Sequence, residues 1–445
     1  MAILSKDEAQ QILKKVIAFS KADGIEANLN GNDGGNIRYA RNSVSTSGED
    51  SNVSLAVQSY FGKKSGTATI NEFDDASLEK VVKRSEELAQ LAPENPEFME
   101  PLTQQNYLES KTFIEATANI TPEYRAQAAA NSINPAAAKD VTAAGYLTDN
   151  RGFSALMNSK GLFAYNKATS VDFTVTMRTN DGTGSGWVTR SFNDVKKLDT
   201  AEASKVAIDK ALQSRNAKGI EPGKYTVILE PAAAGDLIGL MFFGMNARQA
   251  DEGRSFMSKK GGGTKLGEKI VDERVNIYTD PWNEEVPASG WTGNGLARKK
   301  MDIIKNGVVS NLFYDRYWAS QKSVEPVPFP GNRIMDGGNA SLEDMIKDTK
   351  KGVLVTRFWY IRAVDPQTLL YTGLTRDGTF YIENGKIKHP IKNFRFNESP
   401  IIMLNNLETL GKQVRVGNGE GGGTPSLIPY MKIRDFTFTS LSDAV

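Results

Sequence analysis

Two interruptions in the hydrophobic patterning decide what this chain can fold into. The first is the stretch 92–110, where Pro93, Pro96 and Pro101 stand among polar residues, and the second runs from Gly219 to Gly223. Such clusters punctuate regular structure, because proline lacks an amide donor and glycine lacks a Cβ. At 445 residues the chain exceeds what one core usually organises, so both interruptions read as boundaries. The expected division is an N-terminal α+β unit over 1–91, a linker over 92–110, a middle α+β unit over 111–219 and a C-terminal domain over 220–445. The expected fold class is α+β: two small N-terminal α/β-type units, then a larger strand-rich domain.

Local signals fill in these units. Ser5-Lys-Asp-Glu8 has the form of a capping box, and Ile12, Leu13, Val16 and Ile17 follow on one helical face. Strands are predicted over 36–45 and 52–60, with the Gly62 to Gly66 turn leading into a strand at 67–70 and a helix from about Ser77 to Leu91. In the middle unit, Thr121-Pro122 places an N-cap before a proline at the first helical position. Strands follow near 141–146, 155–157 and 170–179, and a capped helix spans 199–214. In the last domain, 224–230 and 352–361 read as buried strands, and Glu383-Asn384-Gly385 as a hairpin turn.

Composition restricts the chemistry. The chain has no cysteine and a single histidine, His389. Catalytic zinc takes three protein ligands, nearly always including His or Cys, so a conventional zinc site is out of reach. No EF-hand spacing offers a calcium loop, and acidic pairs such as Asp74-Asp75 and Glu284-Glu285 read as solvated surface. The net charge of +1 gives no field that would draw the protein to nucleic acid. The N-terminus lacks a secretory pattern, and the longest apolar stretch, 232–245, is too short for a bilayer. The expectation is a cytoplasmic protein with no membrane partner, no nucleic-acid partner and no cofactor.

Other motifs carry little. His389 precedes Pro390 and no Gly-x-Ser-x-Gly elbow accompanies it, so it reads as structural rather than as part of a Ser–His–Asp triad. Ser77-Leu-Glu-Lys80 needs only a capping explanation. The glycine-rich loops at 259–265 and 417–424 lack the Gly-Lys-Ser/Thr ending of a phosphate loop and read as connections.

The most informative segment is 225–244, a buried strand that ends at Pro231 and feeds an apolar helix through Gly235, Gly239 and Gly244. It resembles the corresponding segment of the TldD/PmbA family, metallopeptidase-related proteins also called modulators of DNA gyrase. Further matching features are Arg41-Asn42, Gly62 to Gly66 with Thr67-Ala-Thr, Asn158 to Gly161 and Gly352 to Arg357. Val364-Asp365, Thr372-Gly373, Tyr381 to Gly385 with Pro390, and the glycine-rich segment running to Lys432 continue the series to the C-terminus.

The resemblance implies a His-Glu-three residues-His motif on the helix after the proline, with a downstream cysteine completing the zinc ligands. Registered on Pro231 and Gly235, those positions hold Gly239 and Leu240 in place of His-Glu, and Gly244 in place of the second histidine. The chain therefore resembles the PmbA (TldE) type of subunit, which lacks the zinc motif and pairs with a TldD-type catalytic subunit to cleave peptides or unfolded segments. Thr356 and Arg357, on an expected edge strand starting at Val353, are the candidate peptide-binding residues. An alternative is a homodimer that binds a peptide or small ligand and has lost protease activity; a third is an enzyme using carboxylates around the old site.

Overall fold

The computed structural model describes residues 3–417, 419–420 and 423–442. The first half of the chain builds a single six-stranded antiparallel sheet. Its strands run in the order Lys64–Ile70, Ser43–Phe61, Gly24–Ala40, Val141–Asn158, Phe163–Thr179 and Ser185–Phe192. The two small units expected from sequence thus share one sheet, joined where Gly24–Ala40 pairs with Val141–Asn158.

Both helix pairs cover the same face of that sheet. Along Gly24–Ala40 the buried hydrophobic side chains are Ile25, Ala27 and Leu29, then Ile37 and Tyr39, all of one parity. Since successive strand residues point to opposite faces, the two groups share a face. Helices Lys6–Phe19 and Asp75–Leu91 pack on the first group, and Pro122–Ala137 and Thr200–Gln213 on the second. The predicted Ser5–Glu8 capping box and the Thr121 and Asp199 caps all form.

Between the two cores lies a buried ion pair. Arg125 donates from Nε and Nη2 to the two oxygens of Asp149, at 2.6 and 3.0 Å, and from Nη1 to Glu49 at 3.0 Å. The guanidinium lies flat over Gly35, where a Cβ would fall on it. That close approach explains a glycine inside a long strand.

The second half forms a strand-rich domain around a 13-stranded sheet. At its centre Gly223–Leu229 pairs in parallel with Lys351–Val355 and antiparallel with Ser426–Ser442. The predicted 352–361 strand divides instead into Lys351–Val355 and Phe358–Asp365. The second piece pairs with Leu370–Thr375 through a register shift, with Tyr360 in the left-handed region at φ 54°. Residues 92–110 serve as a strap against this domain. Tyr107 Oη donates to the Gly295 carbonyl at 2.6 Å, and Ser110 Oγ to that of Pro281 at 2.6 Å.

Candidate functional site

Helix Pro231–Phe243 carries the positions that the sequence registers on the zinc motif. It starts where the central strand ends, with Glu230 extended and Pro231 at the first helical position, where its missing N–H is harmless. No side chain caps this start; the Glu230 carboxylate accepts from Lys210 Nζ at 2.7 Å and ties the helix to the N-terminal half. Ala233, Ala234, Leu237, Ile238, Met241 and Phe242 are all buried, so the helix is inserted in the core rather than laid on its surface. Each large side chain buried this way contributes roughly 1.5–3 kcal/mol.

Gly239 is buried within the helix. Leu240 is half-buried against the core, and its carbonyl accepts from Tyr371 Oη at 3.3 Å. Gly244 caps the helix, and a Cβ there would stand 2.7 Å from the ring of Phe256. None of the three offers a metal donor, and among the described residues no group of three His, Cys, Asp or Glu side chains could hold a metal ion. His389 lies away from this helix, on an outer strand of the sheet, stacked 5.4 Å from Tyr381 with Nδ1 3.0 Å from the Pro390 carbonyl. These residues do not fit zinc.

Two openings flank the helix. The first lies beside Gly235 and Asp236 and is closed by Trp187, Arg333, Thr424 and Ser426. Arg333 is buried, donating from Nε to Ser426 Oγ at 3.2 Å and from Nη2 to the Thr424 carbonyl at 3.3 Å. Burial pushes its guanidinium down to about 10, while the Asp236 charge works in the opposite sense. The glycine-rich loop comes against this acid: a Cβ at Gly419 would fall on the Asp236 carboxylate. Glu420 Oε2 accepts from the Ile361 amide at 3.1 Å, so this end of the loop is docked rather than a free connection. The remaining volume, about 20 Å³, is room for one water and not for a peptide.

The second opening, at the other end of the helix, is a cleft of about 530 Å³. Its apolar wall is an aromatic cluster in which Phe243 stacks on Phe329 at 6.0 Å and Phe313 meets Phe329 at 5.0 Å. Asn246, Gln249, Asn294 and Arg298 supply polar groups to the same cleft. This opening is large enough to take a side chain with its backbone.

The strand preceding Thr356 and Arg357 is not an edge. Lys351–Val355 is hydrogen-bonded on both sides, to Gly223–Leu229 and to Thr379–Glu383, so no peptide can add to it. Thr356 Oγ1 donates to the carbonyls of Asp377 and Gly378, at 3.2 and 3.0 Å. Arg357 Nη1 pairs with Asp377 at 2.7 Å, and its guanidinium lies 4.1 Å over Trp187 and 4.8 Å over Trp359. Thr356 thus bonds within the C-terminal domain, and Arg357, through Trp187, reaches the N-terminal half. Asp236, Arg298, Arg333 and Trp187 are the site residues that sequence reasoning missed. Only Asp236, the lone acid in an apolar helix, carried a visible signal.

The PmbA/TldA metallopeptidase domain 1 matches residues 26–89, the central domain matches 113–215 and the C-terminal domain matches 222–440. The chain belongs to the PmbA/TldD family. A metalloprotease of Methanothermobacter thermautotrophicus is 24% identical over 63% of this chain and 64% of its own length. A zinc metalloprotease TldD homolog of Saccharolobus solfataricus is 25% identical over 45% of this chain and 47% of its own. The chain thus spans less than two thirds of either relative. The crystal structure of TldE from Thermococcus kodakarensis superposes with a TM-score of 0.87 at 17% identity, covering 96% of this chain and all of that one. That likeness is one of fold.

Proposed function

We propose that this PmbA/TldD-family chain is the subunit without zinc of a cytoplasmic TldD/TldE-type protease, acting with a TldD-type catalytic partner on peptides or unfolded segments. The observation that carries this reading is the replacement of both motif histidines and the glutamate by Gly239, Leu240 and Gly244, in a chain with no cysteine. A zinc peptidase needs the ion to lower the pKa of its water and a carboxylate to take the proton, and this helix supplies neither ligand nor base. The chain's own contribution is then structural, one wall of a peptide-holding chamber. The 530 Å³ cleft at the end of the helix is the part of that wall with room for substrate.

The test is to purify the chain alone and with a TldD-type partner carrying the intact motif, and to assay unfolded peptides with added zinc. Hydrolysis by the pair but not by the chain alone is expected. Zinc-dependent hydrolysis by the chain alone would overturn the proposal. Peptide binding by a homodimer, with no gain from any partner, would favour the alternative of a binding protein that has lost proteolysis.

A further inference from the structure

Among the described residues Arg298 is a cation without an ion-pair partner. Its Nη1 donates to the carbonyls of Ser289 and Trp291, at 3.2 and 2.9 Å. Nε is buried with no acceptor, and Nη2 makes no hydrogen bond to the protein. Among the described residues no carboxylate forms an ion pair with it. Burial pushes the guanidinium below its ordinary value, and no acidic neighbour opposes that shift.

The contrast with Arg125 shows what is missing. There the same Nε–Nη2 edge grips both oxygens of Asp149. That edge presents two parallel N–H groups, matched to a carboxylate. In Arg298 neither nitrogen of that edge has a protein acceptor: Nε is enclosed and Nη2 is left for an incoming oxygen, in a side chain that lines the cleft with Phe242, Phe243, Phe313, Phe329 and Asp315. Phe243 is 57% exposed, a large apolar side chain left uncovered at the mouth of an otherwise buried helix.

We infer that this cleft binds the C-terminal end of a peptide, its α-carboxylate on Arg298 and its apolar last side chain against Phe243 and Phe329. A partly buried guanidinium whose Nε has no acceptor is unfavourable, and an incoming carboxylate reduces that penalty. An aromatic wall beside it selects an apolar residue over a charged one. Asn246, Gln249 and Asn294 line the same cleft and serve as hydrogen-bonding partners for the adjoining peptide group. The inference rests on the peptide-holding role proposed above and names the part of the peptide that is held.

The experiment is calorimetric titration of the full chain, without partner and without zinc. The probes are a pentapeptide ending in phenylalanine, the same peptide with a C-terminal amide, N-acetylphenylalanine and 3-phenylpropionate. The free-acid peptide is expected to bind at least about tenfold more tightly than its amide, and more tightly than either small acid. Arg298→Gln is expected to abolish the difference between acid and amide. Because that variant leaves two carbonyls without their donor, Phe243→Ser at the exposed position provides a second test. It should weaken peptide binding about tenfold with the thermal midpoint unchanged.

Equal binding of acid and amide overturns the assignment of Arg298. Binding of 3-phenylpropionate as tight as the peptide assigns the cleft to a free apolar acid and overturns the peptide assignment. No binding by any probe, with Phe243→Ser lowering the sedimentation coefficient, makes the patch a subunit interface and also overturns it. Carboxylate binding by the chain with an inactive pair would sink the protease reading alone; an active pair with no such binding would sink this inference alone.

Discussion

Gly244 faces the ring of Phe256 so closely that a Cβ would stand 2.7 Å from it. Phe256 is itself buried, so the ring has little freedom to yield. Gly244, the position that the resemblance registers on the second histidine of the zinc motif, is therefore closed to a larger side chain by packing. Gly244→Ala should destabilise the fold by about 1–3 kcal/mol through overpacking, measured by urea denaturation. The triple change Gly239→His, Leu240→Glu and Gly244→His should not yield stoichiometric zinc on metal analysis, because no cysteine completes the set.

The Arg125–Asp149 pair should dominate the stability of the N-terminal sheet. Asp149→Ala leaves a guanidinium that is 4% exposed with only the exposed Glu49 as counter-charge, and breaking such a buried pair costs about 3–5 kcal/mol. Replacing both partners, as Arg125→Met with Asp149→Leu, should cost less than the single change. Denaturation midpoints of the three proteins decide this; a double variant weaker than the single would contradict the account.

Asp272 sets a signed pH dependence. Hydrogen bonds from the Arg274 side chain, above all, hold its carboxyl down to about 2, from an ordinary 3.8. A depressed carboxyl contributes stability that is complete above its unfolded value and is lost as pH falls through the folded one. The urea midpoint of the native chain should therefore fall more steeply than that of Asp272→Asn between about pH 4 and pH 2. Parallel curves would show that the pair contributes nothing.

His389 should be dispensable for chemistry. It stacks on Tyr381 at an outer strand and lines neither of the two openings beside helix Pro231–Phe243. His389→Gln should leave peptide hydrolysis by the pair unchanged and shift stability by less than about 1 kcal/mol. A large loss of hydrolysis would revive a histidine-based mechanism.

What was legible in the sequence follows from how local each signal is. The Ser5 capping box, the Thr121 and Asp199 caps and the Asn384-Gly385 turn are written within a few residues, and all form. The strand predicted from Asn36 in fact begins at Gly24, because Gly31, Gly34 and Gly35 look like a loop in sequence. Their reason is supplied by residues far along the chain, such as Arg125 over Gly35. For the same reason the pairing of Gly24–Ala40 with Val141–Asn158 left no periodic trace. Thr356 and Arg357 were placed on an edge strand because strand order is not encoded in alternation; the structure puts that strand inside the sheet. That Gly239, Leu240 and Gly244 offer no metal donor was legible without geometry, since residue identity alone decides it. The vacancy at Arg298 was not, since only the fold shows that no carboxylate among the described residues pairs with it, although Asp315 lines the same cleft.

The central claim, as proposed above, is that this chain would contribute no metal site to a pair with a TldD-type subunit. It is tested most directly by the zinc content of the purified pair with a TldD-type subunit. The account predicts one zinc ion per pair, lost when the partner's motif histidines are replaced and unaffected by His389→Gln. Two zinc ions per pair, or zinc retained after the partner's histidines are gone, would contradict it.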